Sequence, residues 1–489
     1  MTSAWILVCL IPLGCGIGTL LCRTARSLGW VLAVGTTATS VVATWVILRT
    51  PVATVLGGPD ALGRLLLGIV DLVGVLSTVE SLHYWRDELR SSNADLVMLG
   101  RGIRRVRIYF FWQQAFLASL LTAAASGNLG LSWVAIELTT ITSAVLVGSS
   151  GTPRAIEAAW KYVVLCSVGL ALALATVILL YALGGAGGLG ALNWTSLTAA
   201  APHFPTGPIK LAYLFALVGF GTKAGLAPLH AWLPDAHSEA PAPVSALLSG
   251  VLLAVVLCTL VRVADVTAAA TGAAFPDHLL LGAGILSIMV ATPFLILQSD
   301  LKRLLAYSSI EQIGVMAVGF GLHVPLAALG AILQLVVHAL TKSGLFFTAG
   351  RIVHDAGTQR LLRLRSLGVG TPTSGAALLF GVLTLGGLPP FGMFFPELAI
   401  IRATFAQNTV LGLGFLFLLA LTFAGLFYHA GGTALGRSAR TGLHRVPVLD
   451  IAVLALPAAL TIVVGLWAPA ILARGLEAAS ALALGGGAR

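Results

Sequence analysis

Three lysines, Lys161, Lys223 and Lys342, fall inside long apolar stretches of the 489-residue chain, which carries 28 Lys and Arg in all against 18 Asp and Glu. The type matters as much as the place. An arginine cannot lose its proton in a protein, whereas a desolvated lysine can become neutral, so a lysine in hydrocarbon is a candidate proton holder. A charge at the bilayer centre costs at least about 2.5–3.5 kcal/mol and marks function by default. Lys161, five residues into its span, also suits a side chain reaching for the headgroups. Glu137 lies mid-span in LSWVAIELTTITSAVLVG with nothing basic within a helical turn. It must protonate or find a cation on another helix, and Lys223 is the natural partner. Glu397 sits in a similar setting. Asp71 and Glu80 also lie in a span, where a hydrogen bond to a neighbouring helix or subunit explains them as well as function does.

Histidines extend this set. His338 and Lys342 are four apart in LQLVVHALTKSGLFF, so they share one helical face and can pass a proton along it. The segment HAWLPDAHSEAP holds His230, Asp235, His237 and Glu239. Its prolines and its lack of HExxH spacing argue against zinc, and it reads as a re-entrant, water-accessible turn. Five cysteines, none in CxxC or at zinc-finger spacing, predict neither a metal cluster nor disulfides.

The elements that position these groups are membrane helices. The chain is 58% hydrophobic and only 9% charged, with a mean hydropathy of +0.98, which excludes a water-soluble enzyme. Uninterrupted apolar runs exclude a β-barrel. A pass along the sequence predicts an all-α polytopic fold with about fourteen spans, near 4–22, 28–48, 61–82, 108–126, 129–149, 156–183, 208–228, 243–264, 278–297, 303–322, 325–349, 373–400, 408–430 and 448–473. The start, without a basic n-region or cleavage site, reads as a retained first span.

Charge supports an even count. Odd-numbered connections hold 18 of the 28 basic residues: Arg23, Arg26, Arg86, Arg90, Arg101, Arg104, Arg105, Arg107, Arg154, Lys302, Arg303, Arg351, Arg360, Arg363, Arg365, Arg437, Arg440 and Arg445. By the positive-inside rule these are cytoplasmic, and both termini lie outside in a multi-pass protein of the inner cell membrane. The net charge of +10 is then topology and leaflet electrostatics, and predicts no nucleic-acid partner. Two spans are interrupted, at GFGTKAGLAPLHAWLP around Pro228 and at LTLGGLPPFGMFFPE around Pro389 and Pro390. Proline breaks a helix and frees carbonyls, and matched breaks in two halves point to a conduction pathway.

The stretch GTKAGLAPLHAWLPDAHSEAPAPVSALLSG at 221–250 closely resembles the signature of the antiporter-like subunits of respiratory complex I, Mrp-type sodium/proton antiporters and membrane-bound hydrogenases. SDLKRLLAYSSIEQIG at 299–314, HALTKSGLFFTAG at 338–350 and GLPPFGMFFPE at 387–397 follow in the family's order. AIELTTITSAVLVG and EAAWKYVVLCSVGLALAL look most like the F component of hydrogenase-4-type complexes. The resemblance covers about residues 60 to 430.

It implies fourteen core helices with two inverted five-helix repeats, helices 4–8 and 9–13, and broken helices 7 and 12. The chain then divides into an N-terminal segment at 1–105, a first repeat at 106–265, a second at 266–430 and a C-terminal loop and helix at 431–489. Glu137 matches the family's helix-5 glutamate and Lys223 the lysine of broken helix 7 paired with it. His338 and Lys342 match the connecting residues of helix 11, Glu397 the charged residue of helix 12, and His230 and Asp235 polar positions of the signature. With Lys161 these make up the expected proton pathway. One departure is Ala254, which follows GVLL where many complex I members carry a lysine, so the half-channels must connect through other groups or water.

The implied role is proton translocation in a redox-driven respiratory or hydrogenase complex. This chain would hold no cofactor and no catalytic site of its own. Iron–sulfur or NiFe centres are expected only in partner subunits, which would include other integral membrane proteins and a cytoplasmic redox arm. Rival readings are a sodium/proton antiporter subunit without redox chemistry, the membrane subunit of an inorganic-carbon uptake complex, and a passive scaffold whose buried charges only specify packing.

Overall fold

The computed structural model describes residues 4–49, 57–91, 96–185, 187–364, 372–435, 448–466 and 470–484. Among the described residues there are helices and two isolated β-bridges but no strand. The side chains of Arg86, Arg90 and Arg101, together with Arg365, Arg437, Arg440, Arg445 and the C-terminal Arg489, lie outside the described residues.

In chain order the helices are α1 (Ala4–Leu21), α2 (Ala25–Leu48), α3 (Ala61–Ser91), α4 (Leu96–Ala125), α5 (Leu129–Val147) and α6 (Pro153–Leu183). The seventh predicted span is two pieces, α7 (Thr206–Ala224) and α8 (Trp232–Glu239). Then follow α9 (Ala242–Thr271), α10 (Ala274–Ile296), α11 (Leu301–Gly321) and α12 (Pro325–Ala356). The twelfth predicted span is likewise two pieces, α13 (Pro372–Leu385) and α14 (Phe394–Gln407), before α15 (Thr409–Ala434), α16 (Val448–Leu466) and α17 (Ala470–Leu482). Ten of the described helices are long and apolar enough to cross a membrane, and shorter apolar helices lie at Trp5–Leu21, Thr373–Leu385 and Ala455–Val464.

Helix starts follow local chemistry. Asn128 Oδ1 accepts from Leu131 N at 3.1 Å at the head of α5, and Asp300 Oδ1 accepts from Arg303 N at 3.1 Å at the head of α11. Each satisfies a backbone donor that the first helical turn leaves without a partner. Thr152 caps α6, with Pro153 in the first turn where its missing N–H does no harm.

Burial separates centre from perimeter. The apolar windows of α9 and α11 are 100% buried within the chain, while those of α2 and α15 are 28% and 33% buried and turn most of their surface outward. Helices approach closely where glycine removes the side chain: a Cβ on Gly284 of α10 would stand 2.7 Å from Gly314 O of α11. Such small-residue contacts are how helices pack where lipid supplies no hydrophobic drive between them.

The connections sort into two ends. Arg105 on α4 donates to Ser149 O (2.8 Å) and Ser150 O (3.1 Å) after α5, and Arg107 donates to Thr19 O (3.3 Å) near the end of α1. The turn before α11 pairs with that after α12 through Leu301 N to Gln359 O (3.0 Å) and Leu361 N to Ser299 O (2.9 Å). These odd-numbered connections form one basic end. At the opposite end Arg262 meets Asp60 at 2.6 Å, and His323 meets Asp277 at 3.3 Å.

Candidate functional site

The first centre forms where α7 breaks. The helix stops at Gly225, whose φ of 81° is left-handed and suits a residue without Cβ. The freed backbone groups find protein partners. Leu226 N donates to Gly221 O (2.9 Å), Ala227 N donates to Ser287 Oγ (2.9 Å), and the Trp232 indole donates to Thr222 O (2.8 Å). This is the condition under which broken backbone survives at membrane depth. Ala227–Pro228 is a cis peptide, as is Pro389–Pro390 in the other break.

Lys223 occupies the last turn of α7 and is fully buried. Its ammonium donates to Thr140 Oγ1 of α5 at 2.8 Å and to the Tyr162 hydroxyl of α6, which is also 2.8 Å from Ser143 Oγ. Nζ stands 4.5 Å from the centroid of the Tyr162 ring and 6.0 Å from that of Trp232, where the negative ring faces attract a cation. The expected ion pair with Glu137 is not formed: no such contact lies within 4.0 Å. Glu137 sits one turn before Thr140 on the same side of α5, but its carboxyl is bonded to α6 rather than to the ammonium. Its Oε1 accepts from Ser167 at 3.1 Å and its buried Oε2 has no partner.

The second centre lies along α11 and α12. Lys342, fully buried, donates to Leu305 O at 2.9 Å and to the Ser308 hydroxyl. His338, one turn away on the same face, bonds Ser249 O at 3.2 Å through Nε2 and does not touch Lys342. Ser249 belongs to a π-turn of α9 over Leu248–Leu252, and its hydroxyl is 2.7 Å from that of Ser309. Such turns are frequent at functional sites. Further along α11, Gln312 Nε2 lies 3.3 Å from Glu397 Oε1 and 3.4 Å from Glu311 Oε1, while its Oε1 accepts from Gln334 at 2.7 Å.

His237 lies between the two centres. It is fully buried on α8, its ring 6.1 Å from Trp232 and 5.7 Å from Phe346, within electrostatic reach of Lys302 and Lys342. Its Nδ1 is 2.8 Å from Leu233 O. A carbonyl only accepts, so Nδ1 carries the proton and Nε2 is the basic nitrogen. Nε2 of His237 and Nδ1 of His338 are both buried without a protein partner. Each central histidine thus has one nitrogen fixed as donor and one open to accept. Ala254, buried on α9, supplies no charge between the centres.

At the basic end a cavity of about 350 Å³ is lined by Lys161, Asp235, Glu239, Asp300, Arg303 and Arg360 among others. Asp235 accepts from Arg303 and, at 3.3 Å, from Lys161, which also pairs with Glu157 at 2.7 Å. Lys161, with 49% of its side chain exposed, is ion-paired at the rim of this cavity rather than enclosed within the chain. The third buried lysine is instead Lys302, 5% exposed, which donates to Ser238 O at 3.0 Å and to Ala240 O. It thereby satisfies carbonyls at the end of α8. Asp300, beside it in the turn, is shifted upward by burial, opposed by the backbone N–H of Arg303. His230 stacks edge-on at 6.5 Å from Tyr307 in the broken stretch.

Sequence reasoning passed over Tyr162, Lys302, Glu311, Gln312 and Gln334, and noted His237 only as part of a turn. Glu80 and Arg351 form a two-bond pair at 3.1 and 2.7 Å between α3 and α12, so Glu80 has its partner within the chain. Among the described residues no three His, Cys, Asp or Glu side chains gather as metal ligands.

The family described as NADH:quinone oxidoreductase/Mrp antiporter, TM, matches residues 126–422. A hydrogenase-4 component F homolog from Methylacidiphilum infernorum is 36% identical over 357 residues, 72% of this chain and 73% of that protein. NADH-quinone oxidoreductase subunit N from Desulforudis audaxviator is 36% identical over 57% of this chain and 55% of its own length. A chain of respiratory complex I from Thermus thermophilus superposes with a TM-score of 0.81 at 23% identity, over 99% of this chain and 100% of that one. At that identity the likeness speaks for the fold.

Proposed function

This chain belongs to the NADH:quinone oxidoreductase/Mrp antiporter transmembrane family, and on that premise we propose that it is a proton-translocating membrane subunit of a redox-driven respiratory or hydrogenase complex. One observation carries the reading. Two fully buried lysines, Lys223 and Lys342, are held by hydroxyls and a carbonyl rather than by carboxylates, and a buried histidine with an open nitrogen stands between their sites. A structural ammonium is normally neutralised by an acid, whereas one held by neutral groups can release its proton without leaving an unpaired anion behind.

In this reading the basic end is cytoplasmic and both termini lie outside the inner membrane. Protons collect in the cavity around Asp235 and reach His237 and Lys223. They pass by way of His338 and Lys342 to Glu397, which opens towards the other side. Glu137, one turn from Thr140, acts through its field, favouring the charged form of Lys223 when it is ionised. We further assign fourteen crossings, with helices 4–8 and 9–13 as inverted repeats. The support is the pair of breaks after Gly225 and Leu385, each beside a charged residue of its own centre. The electron carriers belong to partner subunits in a cytoplasmic arm.

Purification of the tagged complex in mild detergent, followed by reconstitution into vesicles, tests this. Iron–sulfur subunits in the preparation, and proton uptake that requires an electron donor, are expected. Membrane partners alone, with proton movement that needs sodium and no donor, would move the chain to the sodium/proton antiporters. An uptake defect confined to inorganic carbon would point to that third role.

A further inference from the structure

We propose that Glu311 and Glu397 form a carboxyl pair that holds one proton between them and passes it through a cavity beside the break between α13 and α14. The inference rests on the translocation reading above and adds a residue to its outward half. The cavity is about 410 Å³ and is lined by Glu311, Gly386, Gly387, Glu397, Thr422 and Phe423 among others. It is large enough for several waters.

Both acids are withdrawn from solvent, Glu311 at 2% and Glu397 at 7% exposure. A single amide serves both. Gln312 Nε2 is 3.4 Å from Glu311 Oε1, 3.3 Å from Glu397 Oε1 and 3.3 Å from Leu385 O. The donation from Gln334 to Gln312 Oε1 fixes which way this amide points. Two amide hydrogens therefore face three acceptors, and one of the three is always left short. Glu311 Oε2 is buried with no partner. Among the described residues no Lys, Arg or His nitrogen lies within 4.0 Å of either acid, since the Lys342 ammonium is held by Leu305 and Ser308.

Two buried carboxyls that meet at one amide, with no cation in contact, resist ionising together, and the arrangement favours one shared proton. Gly387 makes room for the pair: with φ of 61° and no side chain it lies against the Glu397 carboxyl, and any Cβ there would collide with it. The supply is one helical turn away, because Ser308 and Glu311 are three apart on α11. A proton from the Lys342 ammonium leaves a neutral amine and neutralises a carboxylate of the pair. Its onward transfer from Glu397 to outside water restores that carboxylate.

The test uses the whole reconstituted complex with Glu311→Gln, Glu397→Gln and Glu311→Asp. Infrared spectroscopy at neutral pH reads the carbonyl stretch of protonated carboxyl groups and its shift in heavy water, and donor-driven proton uptake is measured in parallel. The expected wild type shows such a band. Glu311→Gln shifts or removes it and lowers uptake by about a hundredfold, within the range a positioned proton carrier supplies. Glu311→Asp keeps a band at an altered frequency, and decides the matter if the Gln variant does not assemble. The proposal is overturned by a band that neither Glu311 variant alters, by wild-type uptake in Glu311→Gln, or by a band that disappears on adding sodium at fixed pH, which would make the cavity a cation site. Lys223→Ala separates the two levels. Lost uptake there with normal uptake in Glu311→Gln sinks the pair alone, and normal uptake in both sinks the translocation reading.

Discussion

The ammonium of Lys223 lies 2.8 Å from the hydroxyl oxygen of Thr140, the residue one helical turn beyond Glu137. The buried charge is thus met by dipoles, and the acid that balances it stands back on Ser167. This separation gives the site two settings. With Glu137 ionised the field at Thr140 favours the ammonium, and with Glu137 neutral or displaced only hydroxyls and the faces of Tyr162 and Trp232 hold it. The second centre repeats the pattern, since Lys342 rests on Ser308 with Glu311 one turn further along α11.

Replacing Lys223 with arginine follows directly from this geometry. The guanidinium keeps the positive charge, and the Thr140 and Tyr162 hydroxyls remain as acceptors, but it does not deprotonate in a protein. Lys223→Arg is expected to assemble and to lose proton uptake by about a hundredfold in donor-driven vesicles. Uptake retained near the wild-type level would remove deprotonation of Lys223 from the mechanism.

Much of this was legible before any coordinates. The Gly and Pro punctuation at 221–228 and 386–390 marked both helix breaks, and the spacing of His338 and Lys342 placed them on one face. The burial of Lys161 and Lys302 is the reverse of what their sequence settings suggest, and the reason is tertiary. Lys161 starts a long apolar run yet faces the cavity beside Asp235, while Lys302 follows a polar turn yet is covered by the end of α8. Only the fold-back of a broken helix decides which lysine is enclosed. Glu311 was hidden because SSIEQIG reads as a polar patch, and nothing local says that the Glu397 carboxyl, 86 residues on, approaches the same amide. That Glu137 and Lys223 make no direct ion pair is beyond the sequence, because charge complementarity does not say that a threonine one turn on takes the contact.

Glu80 and Arg351 offer a test of how the second centre is anchored. The two bonds tie α3 to the far end of α12, the helix that bears His338 and Lys342. Removing one partner takes both of these bonds from the other, whereas replacing both with apolar residues is less harmful. Glu80→Leu and Arg351→Leu are each expected to lower the thermal midpoint of the detergent-solubilised complex, and the double variant to recover most of the loss. A coupling of about 1–3 kcal/mol is expected from the cycle. Additive losses would mean that the pair does not hold the helix.

His323 gives a pH dependence whose sign can be worked out. It occupies the turn between α11 and α12, with φ of 50°, and its Nδ1 is 3.3 Å from Asp277 Oδ2 on α10. The hydrogen bond and charge of Asp277 raise its pKa above the ordinary histidine value, against a smaller opposing effect of burial. Asp265 on α9 lies within electrostatic reach of both Asp277 and Arg262. A folded-state value above the unfolded one means that folding takes up a proton, so the contact stabilises fully below the unfolded value of about 6.5 and loses its contribution as pH rises through the folded value. His323→Asn, which tolerates the left-handed backbone and cannot titrate, isolates the effect. The difference in thermal midpoint between wild type and His323→Asn is expected to be largest in mildly acidic buffer and to close on the alkaline side. A difference that stays constant across this range, or widens with pH, would show that the histidine does not bind its proton against Asp277.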